Sequence, residues 1–149
     1  MIGDGFTDRT LTDPQVEQIV DEAVEAMGCE GKRVLAIVPD HTRTCPLPQV
    51  ARLLRQRLAG RAAALDFLVA LGTHPPMTQE HIHELFGVRP GQWEQVFGDS
   101  RAFNHAWQDA GELRKIGTLS EGEIDEISGG LFRMSVDVTV NARVFDYDQ

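Results

Sequence analysis

The stretch Val34-Leu-Ala-Ile-Val-Pro-Asp-His-Thr-Arg-Thr-Cys-Pro46 decides how this chain is expected to fold. In it, a short apolar run stops at Pro39 and is followed by a polar tetrapeptide that starts at Asp40. Apolar runs bounded by proline and turn residues are typical of buried strands in parallel sheets, where ligands bind beyond the carboxyl ends of the strands. The stretch therefore predicts a buried strand that ends in a functional loop.

A second unit of the same kind follows along the chain. A helical pattern starts at Pro46 and ends before Gly60, and a second apolar run, Ala64 to Leu71, leads into the polar loop Gly72-Thr73-His74-Pro75-Pro76. Strand, helix and strand in this order form a βαβ crossover, which places both polar loops at one edge of a parallel sheet. The predicted fold class is α/β, a single domain with a parallel-type sheet built from βαβ units and helices on its faces.

The other elements are predicted from caps, breaks and periodicity. They are a first helix with Asp13 as N-cap and Pro14 at its first position, a short helix that opens at Thr78, loops over 88–111 with a helical turn at Trp93 to Phe97, a third strand at Leu113 to Leu119, and a strand with one wet face within Leu131 to Val140.

Composition excludes several classes of protein. The 149 residues are 42% hydrophobic and carry a net charge of −9, which disfavours nucleic-acid binding because polyanions are repelled. No segment approaches the roughly 18 apolar residues of a membrane span, and the N-terminus lacks the pattern of a signal peptide, so no membrane association and a cytoplasmic location are expected. The two cysteines, Cys29 and Cys45, are expected to be free thiols.

The two polar loops contain the candidate functional residues. Thr42 and Arg43, beside Asp40, offer a hydroxyl and a guanidinium that can bind a carboxylate or a phosphate. The alternative is that Asp40 is a helix N-cap or forms an Asx-turn, paired with a structural arginine, and the tetrapeptide leaves the functional and the structural interpretation open. His74 lies in the loop after the second strand, and imidazole is a side chain that commonly serves as a general base.

The remaining histidines do not predict a metal site. His81 and His83 are two residues apart, so a helix would place them on different faces, and they lack the i, i+4 spacing of a zinc protease helix. His105 lies between large aromatic residues and is interpreted as a partly buried structural side chain. No metal ligand is therefore assigned in this chain.

Several motifs together resemble the N-terminal domain of the nickel-dependent lactate racemase family. They are, in order, Val38-Pro39-Asp40-His41-Thr42-Arg43 with Pro46, then Ala70-Leu71-Gly72-Thr73-His74-Pro75-Pro76-Met77, then Asn104-His105-Ala106 and Ile116-Gly117-Thr118. The resemblance covers about Thr12 to Gln149. It implies an isomerase that racemises or epimerises small 2-hydroxy acids with a nickel-pincer nucleotide, to which hydride passes while paired histidines exchange the hydroxyl proton.

The resemblance also implies roles for individual residues. His74 matches one of the acid/base histidines, and Thr73 lines the same cleft. Asp40, Thr42 and Arg43 match the Asp-x-Thr-Arg loop that faces cofactor and substrate. Of the three, Arg43 is the residue best suited to bind an anionic group. His41 occupies the variable position of that motif and is assigned no catalytic role.

The resemblance implies further parts that these 149 residues do not contain. In the family, the second acid/base histidine, the tethering lysine and a nickel ligand follow this region, so residues 1–149 are expected to be an N-terminal domain cut before them, with a C-terminal domain as the missing partner. The chain alone is then expected to bind no cofactor and to be inactive. A stand-alone anion- or metabolite-binding module is the alternative, and an unpaired sheet edge raises homo-oligomerisation as a further expectation.

Overall fold

The computed structural model describes residues 2–149 and confirms the α/β class. Its helices and strands, in chain order, are α1 (Asp13–Met27), β1 (Arg33–Pro39), α2 (Leu47–Leu58), β2 (Ala64–Ala70), α3 (Gln79–Leu85), α4 (Trp93–Phe97), β3 (Ala102–Asn104), β4 (Leu113–Leu119), α5 (Glu121–Ile127) and β5 (Val136–Asn141). Two 3₁₀ turns, Ala110–Glu112 and Ala142–Asp146, complete them. Within residues 2–149 no helix combines the length and the apolarity that a membrane crossing requires.

The central sheet is parallel and has the order β1-β2-β3. β1 and β2 pair along their whole length, and Pro39 lies opposite Ala70 at their carboxyl ends. β3 joins the other side of β2, with Asn104 opposite Val69. Because the three strands run in the same direction and end in register, the loops that follow them emerge at one edge of the sheet.

One face of this sheet carries the hydrophobic core. Side chains alternate between the faces of a strand, and the buried cluster takes Val34 and Val38 from β1 and Leu65, Phe67 and Val69 from β2. Helices α1 to α4 all contribute buried residues to the same cluster. Fully buried Phe67, Phe86 and Phe97 pack edge to face with centroid separations of 4.9 to 5.6 Å, which fixes α3 and α4 against β2.

The opposite face of the sheet is covered in part by the C-terminal residues, while Ile37 on this face is 61% exposed. Asp66, although it lies in the middle of an apolar strand, is buried and accepts hydrogen bonds from the Arg101 backbone N–H, the Arg101 guanidinium and the Tyr147 hydroxyl at 2.6, 2.8 and 2.6 Å. Gln149 then pairs with β1 along the edge away from β2, since its carbonyl accepts the Leu35 N–H at 2.9 Å. The Asp66 cluster therefore ties β2, the residue before β3 and the chain terminus together.

Strands β4 and β5 form a separate two-stranded antiparallel sheet, and α5 lies in the connection between them. This unit is called the hairpin below. Its apolar side chains are largely exposed, and Leu131 and Ile127 have exposed fractions of 79% and 73%. The hairpin adds little to the buried core and is held by the strand hydrogen bonds, with exposed ion pairs such as that of Lys115 with Asp137 at 2.6 Å on its surface.

The predicted strand Leu113–Leu119 is confirmed, and it lies in the second, antiparallel sheet. Two details of the expected fold were wrong. The third strand of the parallel sheet is Ala102–Asn104, which lies in a region predicted to form loops. Three residues are too few to show a period of two, so this strand leaves no pattern in the sequence. The N-cap of α1 is Thr12 rather than Asp13, because the Gln15 side chain accepts hydrogen bonds from the Thr12 N–H and hydroxyl, both at 3.0 Å.

Candidate functional site

The first loop holds a buried carboxylate in a fixed orientation. Asp40 follows β1 and is only 3% exposed. Its Oδ1 accepts hydrogen bonds from the Thr42 hydroxyl at 2.6 Å and from the Thr42 backbone N–H at 3.1 Å. The loop therefore forms an Asx-turn whose donors both come from Thr42, and Oδ2 is left to bind another group.

That other group is His74, which follows β2. Its Nδ1 lies 2.6 Å from Asp40 Oδ2. The Thr42 hydroxyl and then the His74 imidazole hold the pKa of Asp40 well below its usual range, against the opposing effect of burial. An ionised carboxylate only accepts hydrogen bonds, so the hydrogen of this contact belongs to Nδ1.

The Asp40–His74 dyad gives the two imidazole nitrogens different tasks. When the ring is neutral and Nδ1 carries the hydrogen, Nε2 carries the lone pair. The His74 side chain is 47% exposed whereas that of Asp40 is 4% exposed. The ring therefore lies between the buried carboxylate and solvent. A buried carboxylate that fixes the tautomer of an accessible imidazole is an arrangement suited to taking up and returning a proton at Nε2.

The other two predicted site residues, Arg43 and Thr73, lie beside the dyad and are exposed. The Arg43 backbone N–H donates to the Asp40 carbonyl at 3.2 Å, which closes the turn. Among residues 2–149 its guanidinium has no hydrogen-bond or ion-pair partner. By contrast, Arg55 lies 3.8 Å from Asp99 and Arg57 pairs with Asp21. Arg43 thus has its full donor fork available to an anion.

Asn104 is a site-supporting residue to which sequence reasoning assigned no role. It ends β3 next to the His74 loop, and its side chain bonds both backbone groups of Met77, donating to the carbonyl at 2.9 Å and accepting from the N–H at 3.0 Å. This clamp attaches the end of the His74 loop to the sheet. The sequence offered one signal, since an asparagine that directly follows a short apolar pair suits a polar contact at a strand end.

The remaining histidines have other partners or surroundings. The His83 ring stacks on Trp93 with centroids 5.2 Å apart. The buried Asn141 amide lies 3.3 Å from His105 Nδ1. His41 and His81 are exposed and line a cavity beside the first loop. Among residues 2–149, no three His, Cys, Asp or Glu side chains are placed to hold a metal ion together.

Comparison with known proteins identifies the family. The family profile described as the lactate racemase N-terminal domain matches residues 7–148. The chain belongs to the lactate racemase N-terminal domain family. The resemblance of the loop motifs is thereby confirmed over nearly the whole chain, and both members of the Asp40–His74 dyad lie within the matched region.

A solved structure has a similar fold. A crystal structure of a protein from Thermotoga maritima, determined as a structural-genomics target, is similar with a TM-score of 0.76 and 26% identity. The similarity covers 93% of this chain and 32% of that one, so this domain spans about a third of the length of that protein. Comparison with curated proteins gave no match.

Proposed function

We propose that this chain forms one half of the active site of a 2-hydroxy-acid racemase or epimerase, with His74 exchanging the substrate hydroxyl proton. The observation that carries the proposal is the contact of 2.6 Å between His74 Nδ1 and Asp40 Oδ2, which leaves Nε2 as the proton-accepting atom. The membership of the lactate racemase N-terminal family supplies the reaction class. Asp40 acts through His74 and is a positioning residue.

The proton step follows from these residues. The hydroxyl O–H bond of the substrate breaks, its proton moves to His74 Nε2, and the resulting imidazolium is stabilised by the buried Asp40 carboxylate 2.6 Å from Nδ1. The proton returns to the same oxygen in the reverse step. The unpaired guanidinium of Arg43 is proposed to bind the substrate carboxylate or a cofactor phosphate, because its fork matches either anion.

The residues of this chain do not themselves fit a nickel-binding role. Among residues 2–149, no group of three His, Cys, Asp or Glu side chains is placed to bind a metal ion. In the family, the nickel-pincer nucleotide supplies the acceptor for the hydride that leaves the substrate α-carbon. The proposal therefore assigns to this chain the proton exchange and the anion contact, with a C-terminal domain as the partner that completes the cleft.

The dyad is tested by ¹⁵N NMR of the histidine rings at a pH where they are neutral. His74 is expected to be the Nδ1–H tautomer. In Asp40→Asn, the side-chain carbonyl is expected to turn toward the two Thr42 donors, so that the amide N–H₂ faces His74 and reverses its tautomer. His41, which is exposed in the same loop, is the internal control and should not change. An unaltered His74 tautomer in Asp40→Asn would count against the positioning role of Asp40.

The second prediction concerns turnover. Incubation of the purified 149-residue chain with L-lactate should give no D-lactate by chiral chromatography, because removing one member of a catalytic pair costs several orders of magnitude in rate. The matched incubation starts from D-lactate and should likewise give no L-lactate. Racemisation by this chain alone would refute the assignment of half a site to it.

The alternative is an anion-binding module without turnover, and the unpaired guanidinium of Arg43 is the observation that favours it. Calorimetric titration with nicotinate mononucleotide and with lactate examines this reading in the wild type, in Arg43→Ala and in Arg55→Ala. Binding lost only in Arg43→Ala supports the anion contact. Binding that depends on Arg43, together with a His74 tautomer that does not change in Asp40→Asn, would favour the module over the half-site.

A further inference from the structure

A cavity of about 400 Å³ lies beside the Asp40–His74 dyad. Its walls come from the first polar loop, from the end of the second and from helix α3, and its lining residues are His41, Met77, His81, Glu84 and Leu85. Two of these residues connect it to the dyad. His41 directly follows Asp40, and Met77 closes the loop that begins with His74.

The walls of the cavity are held in place. Met77 is buried, and both of its backbone groups are bonded to the Asn104 side chain. The start of α3 is fixed by Thr78, whose hydroxyl accepts the backbone N–H of His81 at 3.2 Å. A ligand would thus meet a largely preformed surface, which reduces the ordering cost of binding.

The chemistry of the lining restricts what the cavity can accept. Met77 and Leu85 provide an apolar surface, and a thioether makes favourable contacts with aromatic rings. His41 and His81 are exposed and offer imidazole faces and edges at the opening. The carboxylate of Glu84 is exposed at the cavity and disfavours a second carboxylate on the ligand, since like charges at one site repel each other.

We infer that this cavity is the subsite for the substrate side chain, and that it selects 2-hydroxy monocarboxylic acids with an aryl or branched alkyl side chain. The inference rests on the proposed function, because the loops that would place the reacting carbon also line the cavity. The methyl group of lactate leaves such a volume mostly empty. The side chain of malate brings a carboxylate toward Glu84.

The experiment follows the Met77 methyl resonance by NMR in the full 149-residue chain during titration with 3-phenyllactate, lactate and malate. 3-Phenyllactate is expected to shift this resonance and to bind at least about fivefold more tightly than lactate, which corresponds to roughly 1 kcal/mol of added apolar contact. Malate is expected to bind more weakly than lactate. Equal dissociation constants for 3-phenyllactate and lactate would overturn the inference.

A pair of matched variants locates the effect. His81→Trp places a bulky side chain at the cavity, and Glu80→Trp places the same side chain at the preceding exposed position of α3, which does not line it. The preference for 3-phenyllactate should be lost in His81→Trp and retained in Glu80→Trp. Identical behaviour of the two variants would refute the subsite.

The outcome is separable from that of the proposed function. His74→Gln removes the proton-exchanging group but leaves the cavity lining intact, so the preference for 3-phenyllactate should persist in it. If the preference persists while the His74 tautomer fails to depend on Asp40, the proposed proton role fails and the subsite stands. If the tautomer behaves as expected and the preference is absent, the subsite fails alone.

Discussion

Replacement of Asn104 by alanine gives a sharp test of how the His74 loop is held. The change removes two hydrogen bonds, from Asn104 Nδ2 to the Met77 carbonyl at 2.9 Å and from the Met77 N–H to Asn104 Oδ1 at 3.0 Å. Each contributes about 1 kcal/mol net, and the Met77 backbone groups are left unpaired in a residue that is only 9% exposed. The expected loss in the free energy of unfolding is therefore about 2–3 kcal/mol.

Urea unfolding followed by tryptophan fluorescence measures this loss. With a slope of about 2 kcal/mol per molar urea, the unfolding midpoint should fall by about 1 to 1.5 M. Gln108→Ala, which removes an exposed amide on the loop that follows β3, is the control and should stay within about 0.5 kcal/mol of the wild type. If the loop opens locally, exchange of the Met77 N–H should accelerate by about thirtyfold instead. The clamp is refuted if neither the midpoint nor the exchange rate changes.

Two further predictions concern acid stability and the core. Burial alone raises the pKa of Asp66, but the hydrogen bonds from Arg101 and Tyr147 outweigh it and hold that pKa below its usual value. The corresponding stabilisation is present at pH values above the pKa of an aspartate in the unfolded chain, about 3.9, and is lost as the pH falls through the lower pKa of Asp66 in the folded chain. The urea midpoint should therefore decrease on acidification below about pH 4, and it should decrease less in Asp66→Asn. Phe86→Ala should lower the free energy of unfolding in urea by about 3–5 kcal/mol, because Phe86 is fully buried among aromatic rings. Phe132→Ala is the control and should lower it by under about 0.5 kcal/mol, because that residue is 60% exposed. Similar losses in both variants would contradict the assignment of the core.

The sequence predicted the paired loops because their signals are local. Apolar runs stop at Pro39 and before Gly72, and parallel strands must bring the loops that follow to one edge, so the proximity of Asp40 and His74 follows from chain direction and register. The orientation of the Asp40 carboxylate in this contact could not be predicted in the same way. Which oxygen of Asp40 faces His74 depends on the Thr42 donors, whose positions follow from the turn geometry.

Other parts of the structure leave weak traces in the sequence. β3 has three residues, and its position in the sheet is defined by the pairing of Phe103 with Leu68. It is too short to show an alternation of apolar and polar residues. Asp66 interrupts an apolar strand, which does signal a buried charge, but its partners Arg101 and Tyr147 are 35 and 81 residues away in the chain. Contacts over such separations are decided by tertiary packing, so local patterns do not identify them.

The hydrogen bonds that hold the dyad come from two loops. Two of the three hydrogen bonds to the Asp40 carboxylate come from Thr42 within the same turn, and one comes from His74 on the neighbouring loop. The carboxylate is therefore oriented mainly by its own loop, and His74 adds one hydrogen bond from the neighbouring loop. Asn104 holds only the far end of the His74 loop, at Met77, so the imidazole itself retains the exposure that proton exchange requires. A rigid acceptor with an accessible histidine is the division of roles that a proton-exchanging dyad needs, because the ring must stay aligned while its charge changes.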